Sequence, residues 1–598
     1  MKYPYFSEIQ RSRQKTTVFG GYNKMLSCEE GEFLDMKNMS SAYYPVLSPR
    51  DRRMMVKKLD NPLALLDKGS LIWIDGENIY MDGECIDLGT CRISVEETMK
   101  PKVLTKMGAY VVIMPDKIWY NTSTKESGYM EASWELETGK EVTFSMCDSM
   151  GKIIEYKDAE YYEHVEAEEG DYLMTTSNGR SSLKQYSATT RIWVSVATTY
   201  LQISAEGIGK SFKEGDGLTF TIEDVTTDWS DVGNIFVNKD KDGKLSTNSV
   251  ISHKDDDHIT ITGITAEMHK LSGISFRVER KTPDIAFVTE YNNRLWACSK
   301  DGHEIYACKL GDVTNWNCFG GISTDSYAAT IGSDGEFTGA VTYQGYPIFF
   351  KENSMIKVGV SGTGSHQIKE TPCRGVQKGS ERSITIVNEI LYYKDTQGIC
   401  RYNGSVPISI SEKLGEVRYH DCAGGTINNR YYISMKDEKE VPHLFVYDTE
   451  NGLWTREDNT DALYFCTYKD DLLFIDKKDF SIKSIRGKDL FGEGELEKDF
   501  EWMAESGKIG YQLPDQKYLA KISIRISLER EAHVEFYISY DSKKEWEFQF
   551  GMQGSGTRTY TIPIIPKRCD HLQYRIMGHG EAKIYGITKS FEQGSDVS

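Results

Sequence analysis

Short apolar runs alternate with polar turns along the chain, and the same pattern returns at a nearly constant interval. Each unit has an apolar run, a turn that often contains Gly or Asp, and a second short run with an aromatic residue. In the first copy these are Leu71–Ile74, Asp75–Asn78 and Ile79–Met81. The pattern predicts short β-strands joined by tight turns.

The spacing of these units predicts a β-propeller. One central apolar residue marks each copy: Ile72, Val112, Leu295, Ile348, Leu391, Tyr431 and Leu472. Successive marks are 40, 183, 53, 43, 40 and 41 residues apart. Five of the six intervals match the ~40–50 residues of a four-stranded propeller blade. We therefore expect about seven blades. Unrelated β-meanders with an accidental spacing are the alternative.

The one long interval predicts an insertion after the second blade. It corresponds to one blade of about 40 residues plus an insertion of about 140 residues. The inserted segment reads as a β domain, because it contains further strand-like runs: Ile192–Val196, Tyr200–Ile203, Leu218–Ile222, Ile259–Ile261 and Ile274–Val278.

The C-terminal region has a different pattern of apolar and polar residues. Lys521–Leu528 alternates strictly between apolar and polar residues, as a half-buried strand does. Five more short runs follow it: Val534–Tyr540, Trp546–Phe550, Thr559–Ile565, Leu572–Met577 and Ala582–Ile587. Six strands in about 100 residues predict a β-sandwich of the jelly-roll type.

The expected fold class is therefore all-β, with an interrupted propeller and a terminal sandwich. The predicted division is an N-terminal arm (1–60), the first blades (61–125), an inserted acidic β domain (126–283), the remaining blades (284–490) and the sandwich (491–598).

One blade carries a sharper mark. Gly424-Gly425, Tyr447 and Trp454 resemble a kelch repeat, in which a glycine pair permits a tight strand entry and aromatic rings pack between blades. The candidate blade-packing residues are Trp73, Trp119, Trp296, Gly424, Gly425, Tyr447 and Trp454.

The charge is negative and unevenly distributed. The chain has 71 Lys and Arg against 90 Asp and Glu, a net charge of −19, and residues 125–171 hold 14 acidic residues against 4 Lys. This balance argues against a protein that grips phosphate backbones over its whole surface. The stretch is either a solvated face or a surface that repels DNA. The candidate DNA-repelling residues are Glu135, Glu137, Glu163, Glu166, Glu168 and Glu169.

Motifs for enzyme chemistry are not evident. The twelve cysteines form no C-x-x-C pair and are typical of small apolar residues in a chain made in a reducing cytoplasm. Gly359–Gly364 misses the register of a nucleophile elbow, and His571 and His579 have no nucleophile motif beside them. We expect no catalytic residue, metal or cofactor. Apolar runs fall far short of the ~18 residues that cross a bilayer, so no membrane insertion is expected.

The N-terminal region resembles a known family. Phe19–Asn23, Glu30–Asn38 and Tyr44–Arg50 are similar to the opening of bacteriophage tail proteins called stabilization, hub or nozzle proteins, which contain a β-propeller. Further similar segments follow along the chain: Glu290–Trp296, Lys309–Asp312, Asn315-Trp316, Phe349–Glu352, Arg374–Val376, Gly379-Ser380 and Cys569–His571.

The resemblance implies a structural, non-enzymatic protein of the virion tail, assembled in the host bacterial cytoplasm. It implies a homo-hexameric ring below the portal and adaptor proteins, which retains and channels the genomic DNA. Its expected partners are the portal and adaptor proteins, tail fibres, and double-stranded DNA that passes through without sequence-specific binding.

The resemblance also implies a role in assembly for the N-terminal arm, which either wedges into the ring or closes the propeller. Tyr43-Tyr44-Pro45 would be its apolar anchor. The basic group Arg50, Arg52 and Arg53 is either a surface patch or a docking site for an acidic neighbouring subunit. The candidate arm residues are Phe19, Tyr22, Asn23, Tyr43, Tyr44, Pro45, Arg50, Arg52 and Arg53.

Two other functions stay open. A glycan-binding or glycan-cleaving tail spike is favoured slightly by the predicted sandwich and by Ser539-x-Asp541-x(4)-Trp546, which resembles the Asp-box turn of sialidases although Lys543 stands at its Gly position. A cellular kelch-like scaffold would require more copies of the Gly-Gly blade pattern.

Overall fold

The computed structural model describes residues 11–96, 100–177, 180–223, 238–239, 245–360, 366–510, 516–543 and 545–593. Strands dominate these residues, and within them Ala159–Tyr162 (α1) is the only α-helix. Short 3-10 helices lie at Glu381–Ser383 and Glu412–Leu414. Within the described part of the chain, no helix is long and apolar enough to cross a membrane.

The first half of the chain supplies an N-terminal segment and two blades. The N-terminal strands are β1 (Arg11–Thr16), β2 (Gly21–Tyr22), β3 (Glu32–Lys37), β4 (Met39–Ser40), β5 (Ser48–Pro49) and β6 (Met54–Lys58). Blade 1 contains β7 (Pro62–Asp67), β8 (Leu71–Asp75), β9 (Asn78–Met81) and β10 (Glu84–Ile86). Blade 2 contains β11 (Val103–Met107), β12 (Tyr110–Met114), β13 (Ile118–Asn121) and β14 (Ser127–Tyr129).

The inserted domain follows blade 2 and forms one nine-stranded and one four-stranded sheet around a single core. Its strands are β15 (Ala132–Glu135), β16 (Glu141–Cys147), β17 (Tyr156–Lys157), β18 (Tyr172–Ser177), β19 (Arg180–Ser187), β20 (Ile192–Ser195), β21 (Tyr200–Ser204), β22 (Gly217–Glu223), β23 (Asn238–Lys239), β24 (Leu245–Lys254), β25 (His258–Thr262), β26 (His269–Ser272) and β27 (Ser275–Arg280). Strands β17 to β20 make the smaller sheet, to which α1 is adjacent.

Blades 3 to 5 are separate four-stranded sheets. Blade 3 contains β28 (Ile285–Glu290), β29 (Leu295–Ser299), β30 (Glu304–Ala307) and β31 (Tyr327–Thr330). Blade 4 contains β32 (Gly339–Tyr343), β33 (Tyr346–Lys351), β34 (Ser354–Val360) and β35 (His366–Pro372). Blade 5 contains β36 (Thr385–Val387), β37 (Ile390–Lys394), β38 (Ile399–Tyr402) and β39 (Ile408–Ser409).

Blades 6 and 7 and the C-terminal strands complete the chain. Blade 6 contains β40 (Tyr419–Ile427), β41 (Arg430–Asp437), β42 (Pro442–Asp448) and β43 (Leu453–Arg456). Blade 7 contains β44 (Ala462–Tyr468), β45 (Asp471–Asp476) and β46 (Ser481–Ser484), and β47 (Glu495–Leu496) follows it. The C-terminal strands are β48 (Glu501–Ser506), β49 (Lys517–Leu528), β50 (His533–Tyr540), β51 (Glu547–Gln553), β52 (Gly556–Ile562), β53 (Leu572–His579) and β54 (Ala582–Gln593).

The seven blades form a closed ring. A buried apolar cluster lies between each pair of neighbouring blades, including one between blades 7 and 1 that joins Trp73 to Leu473, and the cluster between blades 5 and 6 continues into the core of the sandwich. Burial of such surfaces is the main stabilising contribution in a propeller of separate sheets. The predicted all-β fold is thus confirmed: about seven blades, an insertion after the second, and a C-terminal sandwich.

The N-terminal segment closes the propeller. Blade 7 has only three strands of its own, and β6 supplies the fourth by pairing antiparallel with β46, so that Lys58 lies opposite Ser481 and Met54 opposite Ser484. Val56 on β6 is buried in the cluster that joins blades 7 and 1. A strand from near one end of the chain therefore completes a sheet built near the other end.

The sandwich also uses N-terminal strands. Its first sheet has the order β1, β54, β49 and β52, so β1 is an edge strand. In the second sheet β3 pairs with β48, and β2 joins β3 to β43 of blade 6. Blade 6 and this face of the sandwich are consequently one ten-stranded sheet. The arm predicted over residues 1–60 therefore contributes its described strands to the sandwich, blade 6 and blade 7, and β6 fits the second of its two predicted roles, closure of the propeller.

The inserted domain is attached by buried polar contacts. Where it joins the propeller, Arg280 forms an ion pair with Asp216 at 2.8 Å and donates from Nε to the Met130 carbonyl at 3.1 Å. The loop after β30 supplies Asn315, whose side chain donates to the Gly215 carbonyl at 2.7 Å and accepts from the Gly217 amide at 3.1 Å. These contacts fix the insertion against blade 3.

The predicted blade-packing aromatic residues lie between blades. Trp73 and Trp296 are buried, and Trp119 is half-buried against the blade 2–blade 3 cluster. Tyr447 and Trp454 pack 4.8 Å apart, and the Trp454 indole donates to the Ile410 carbonyl at 2.8 Å.

The glycine pair of blade 6 lies against both neighbouring blades, in agreement with its place among the predicted blade-packing residues. A Cβ on Gly425 would lie 2.4 Å from the Phe465 Cβ of blade 7, and one on Gly424 would lie 2.8 Å from the Ser383 carbonyl oxygen beside blade 5. Both glycines therefore permit close approach of the two neighbouring blades, which a larger residue would prevent.

Truncation of Val56 tests the closure by β6. Val56→Ala removes buried apolar surface from the blade 7–blade 1 cluster, and we expect it to lower the free energy of unfolding by about 2 kcal/mol. The matched control is Lys57→Ala on the same strand, because Lys57 is exposed and pairs only with the exposed Glu493. Chemical denaturation of both variants measures the difference, and equal effects would contradict a closing role for β6.

Candidate functional site

Two buried arginines lie where the N-terminal segment contacts both the loop between blades 6 and 7 and the linker to the sandwich. Arg50 forms a fork with Glu497, with its Nη atoms 2.7 and 2.9 Å from the two carboxylate oxygens. Arg53 bonds Glu457 at 2.5 Å and Asp458 at 2.9 Å. We call these five residues the arginine cluster.

Backbone contacts hold the arginine cluster together. Arg50 follows β5 and Arg53 precedes β6, while the carboxylates follow β43 and β47. The Asn38 amide donates to the Glu457 carbonyl, the Arg50 amide to the Asn38 carbonyl, and the Glu497 amide to the Arg53 carbonyl. The Asn38 side chain also accepts from Arg50 Nε at 2.9 Å. The N-terminal segment is thus pinned by main chain and side chain together.

Burial and charge set the protonation of the acidic members. Burial raises the pKa of Glu457, although Arg53 and Arg50 oppose that shift. Burial also acts on Asp458, but Arg53 and Arg50 outweigh it and hold the pKa of Asp458 at about 2. The pKa of Glu497 is likewise lowered, since Arg50 overcomes the effect of burial. Asp458 and Glu497 are therefore anionic partners of the arginines near neutral pH.

This geometry corrects the two interpretations of the basic group. Arg50 and Arg53 are only 7% and 5% exposed and their guanidinium groups are paired with carboxylates of their own chain, so the two side chains are not an exposed basic patch and are not available to pair with an acidic neighbour. Arg52 does lie at the surface, where it contacts the exposed Asp499 at 3.6 Å.

The other predicted arm residues divide into two groups. Phe19, Tyr22 and Asn23 are buried in their own chain, as parts of the core shared by blade 6 and the sandwich or beside it. Tyr43, Tyr44 and Pro45 are exposed, so they do not anchor the segment in its own fold. The ammonium of Lys583 lies over the Tyr43 ring at 3.9 Å.

Two cavities flank the arginine cluster, and their linings have opposite net charges. The cavity beside Arg50 has a volume of about 430 Å³ and is lined by four cationic and two anionic side chains, among them Arg430, Arg486 and Lys488. The cavity beside Arg53 has a volume of about 240 Å³ and is lined by three cationic and five anionic side chains. We call them the basic cavity and the acidic cavity. The lining of the basic cavity thus has a net positive charge and that of the acidic cavity a net negative charge.

Sequence reasoning missed the acidic partners and both cavities. Arg50 and Arg53 meet Glu497, Asp458 and Glu457 across 447, 405 and 404 residues of chain. Isolated carboxylates in a chain with 90 acidic residues carry no local signal of such pairing. The usable signal was the presence of three arginines within four residues next to a strand.

The predicted DNA-repelling residues all lie on the inserted domain and are exposed: Glu135, Glu137, Glu163, Glu166, Glu168 and Glu169. Glu163 caps α1, and Glu169 accepts a hydrogen bond from the Ala188 amide. Their exposure fits both a solvated face and a repelling surface, and the position of a DNA channel stays a prediction.

The candidate metal ligands and the cysteines can be located within the described ranges. No group of three or more His, Cys, Asp or Glu residues that could hold a metal ion occurs there. All twelve cysteines are free, and nine of them are buried. Cys298, Cys308 and Cys318, which are ten residues apart, are among the buried ones. Cys298 and Cys308 belong to apolar clusters, whereas Cys318 Sγ donates to the Asp325 carboxylate at 3.5 Å.

Comparison with known proteins gives distant structural likeness alone. No family model and no curated protein matches the chain. Hsv2 from Kluyveromyces marxianus matches at 12% identity and a TM-score of 0.22, over 36% of this chain and 64% of Hsv2, just under two thirds of its length. Hsv2 from Kluyveromyces lactis matches at 10% identity and a TM-score of 0.23, over 49% of this chain and 90% of that chain.

PorZ, a surface component of the type-IX secretion system of Porphyromonas gingivalis, matches at 10% identity and a TM-score of 0.25. The match covers 89% of this chain and 71% of PorZ. TM-scores this low carry no inference about function, and the propeller described above rests on the sheet topology of this chain.

Removal of one cluster arginine tests its role. Arg53→Ala leaves the buried Glu457 without its closest cation, and breaking a buried pair in this way costs about 3–5 kcal/mol. Arg52→Ala, one residue away, loses only an exposed ion pair and should change stability by less than about 1 kcal/mol. Denaturation curves of both variants provide the measurement. A small effect of Arg53→Ala would show that the cluster does not hold the segment.

Proposed function

We propose that the protein is a structural component of a bacteriophage tail, forming a ring that retains and channels genomic DNA. The observation that carries this proposal is that the N-terminal segment contributes strands to blade 7, to the sandwich and to the sheet that joins blade 6 to the sandwich. A subunit that withstands the pressure of packaged DNA needs domains that do not separate, and a shared ten-stranded sheet supplies that connection. The segment also carries the first of the motifs that resemble the tail proteins.

Several of the resembling motifs have structural roles that fit this proposal. Asn315 fastens the inserted domain to blade 3. Gly375 has the Lys351 carbonyl oxygen 1.8 Å from the position of a would-be Cβ, so a larger residue would separate that loop from blade 4. Residues that set how domains meet are what a structural family would share.

The two charged cavities support assembly of several copies. A ring needs two different, complementary surfaces on every subunit, because each copy contacts the next in a head-to-tail manner. The basic and acidic cavities are such a pair, and Tyr43 on the rim of the basic cavity adds an exposed aromatic ring. In this proposal six copies form the ring. The portal and adaptor proteins contact it above, and tail fibres are attached to it.

The acidic face of the inserted domain supports the proposal that DNA passes the protein without binding to it. Glu163, Glu166, Glu168 and Glu169 are exposed within a short stretch of the chain. Carboxylates repel phosphates and release no counterions on contact, so DNA gains no affinity for such a surface. We propose that this face lines or borders the channel.

Electron microscopy of the purified protein tests the ring. We expect six-fold rings with a central hole in images of particles at high protein concentration. The double variant Arg430→Glu/Lys488→Glu reverses two charges of the basic cavity and should yield monomers by light scattering. Lys140→Glu, an exposed position of the inserted domain, is the control and should leave the rings intact.

The circular dichroism spectrum and the thermal midpoint of the double variant show whether its subunits are folded. Folded wild-type protein that remains monomeric at all concentrations, alone and with portal and adaptor proteins, would overturn the proposed ring.

A glycan-binding tail protein is the second candidate, and one feature favours it. Tyr162 and Tyr186 pack against Trp193 at 4.8 and 5.2 Å, and Tyr161 packs on Tyr162 with 43% of its surface exposed. Aromatic rings stack on the apolar faces of sugars, and nearby carboxylates such as Glu163 accept hydrogen bonds from sugar hydroxyls. The small sheet of the insertion thus offers a surface suited to a glycan.

Titration with host surface polysaccharide separates the two candidates. For a glycan-binding protein, Trp193→Ala should weaken binding at least tenfold in calorimetry, because it removes the central ring of the group. Tyr129→Ala, an exposed tyrosine of blade 2, is the matched control and should bind as the wild type does. Absence of binding by the wild type eliminates this candidate and leaves the ring proposal.

A further inference from the structure

A serine, a histidine and an aspartate form a hydrogen-bonded chain at one end of the sandwich. Ser542 Oγ lies 2.7 Å from His571 Nε2, and His571 Nδ1 lies 2.8 Å from Asp570 Oδ2. The turn after β50 carries the serine, and the loop before β53 carries the other two. The two positions are 29 residues apart in sequence, and for this reason the histidine had no visible nucleophile beside it.

Asp541 holds the two loops together. Its carboxylate accepts hydrogen bonds from the Asp570 amide at 2.8 Å and from the His571 amide at 3.3 Å. The Asp541 amide donates to the His571 carbonyl at 3.0 Å. The serine and the histidine are therefore brought together by three hydrogen bonds besides their own.

The hydrogen bonds define the role of each ring nitrogen. The Asp570 carboxylate only accepts, so Nδ1 carries the imidazole proton, and Nε2 is left to accept the proton of the Ser542 hydroxyl. The hydrogen bond with His571 lowers the pKa of Asp570, which keeps this carboxylate anionic. This arrangement has the general base and the orienting carboxylate of a serine nucleophile.

The side chains of Ser542 and His571 also differ in their exposure to solvent. The His571 side chain is 11% exposed, whereas Ser542 lies at the surface. The base is thus largely shielded from water while the hydroxyl is accessible to a substrate.

The backbone conformation of the turn also supports a functional role for Ser542. Asp541 and Ser542 have φ angles of 51° and 55°. Glycine is favoured at such hairpin positions, so serine carries a conformational cost there, which its contact with His571 offsets.

We propose that Ser542 is an activated nucleophile that attacks carboxylic esters, with His571 as general base and Asp570 as the residue that positions the imidazole. This activity goes beyond the proposed ring. Because Ser542 is exposed, the expected substrate is an ester group at the surface of a larger molecule.

The reaction balances with the ester and water as its only reactants. Ser542 Oγ bonds to the carbonyl carbon as its proton moves to His571 Nε2. The carbon–oxygen bond to the alcohol then breaks, and His571 gives the proton to the departing alkoxide. Water next attacks the acyl-serine, His571 takes a water proton, and Ser542 regains its proton as the carboxylic acid leaves.

The expected rate is modest. A positioned general base contributes about 10²–10⁴-fold, whereas stabilisation of the oxyanion is usually the largest contribution to catalysis of this type. Ser542, His571 and Asp570 supply the former. Covalent labelling of the serine is therefore the most sensitive measurement.

The test is labelling of the full-length protein with a fluorophosphonate, followed by intact mass and peptide mapping. We expect one label per chain, on Ser542, and none on Ser542→Ala. His571→Gln should reduce the labelling rate at least tenfold. Asp570→Asn should reduce it less, and Asp570→Glu should restore part of it, because Asp570 acts through the imidazole. Ser555→Ala, at another exposed serine of the sandwich, should label as the wild type does.

Thermal midpoints close to that of the wild type show that the variants are folded. Label spread over several exposed serines, or an unchanged rate in folded His571→Gln, would overturn the proposal. Release of p-nitrophenol from p-nitrophenyl acetate, lost in Ser542→Ala but not in Ser555→Ala, would extend it from labelling to turnover.

Discussion

The pairing of β6 with β46 is the contact on which the rest of the molecule depends. It supplies the missing strand of blade 7 and buries Val56 in the cluster that joins blade 7 to blade 1. A propeller is a ring of sheets in which an unclosed last blade would leave one interface and the edge of one sheet exposed. The closing strand also carries the N-terminal segment into position, so that β2 and β3 reach blade 6 and the sandwich.

The arginine cluster secures this closure at a point where apolar packing alone would not specify the path of the chain. Buried ion pairs add little net stability compared with apolar residues, but they are costly to break and accept few alternative geometries. Arg50 and Arg53 recognise carboxylates from blade 6 and from the linker at the same time. The same seam carries the two cavities of opposite charge, so the position of the cluster also shapes the surface that a neighbouring copy would meet.

The sequence predicted the propeller because its signal is local. Each blade is a series of adjacent hairpins, so marks such as Ile348, Leu391 and Tyr431 return at the length of one blade. The sandwich strands were visible for the same reason. The family resemblance left closure of the propeller as one of two roles for the N-terminal arm, but the closing strand itself was not predictable, since Met54–Lys58 fits any half-buried strand and its partner lies more than 420 residues away. Single charged residues such as Arg53 look like surface residues until the fold buries them, and Ser542 meets His571 only through a loop-to-loop contact.

Hydrogen–deuterium exchange of the intact protein tests the central claim most directly. The amides of Met54–Lys58 that pair with β46 should exchange about as slowly as those of Asp471–Asp476, because both strands belong to the same closed blade. Exchange of Met54–Lys58 at the rate of an unstructured chain, while Asp471–Asp476 stays protected, would contradict the claim. The N-terminal segment would then be a free arm, and blade 7 would be closed by three strands alone.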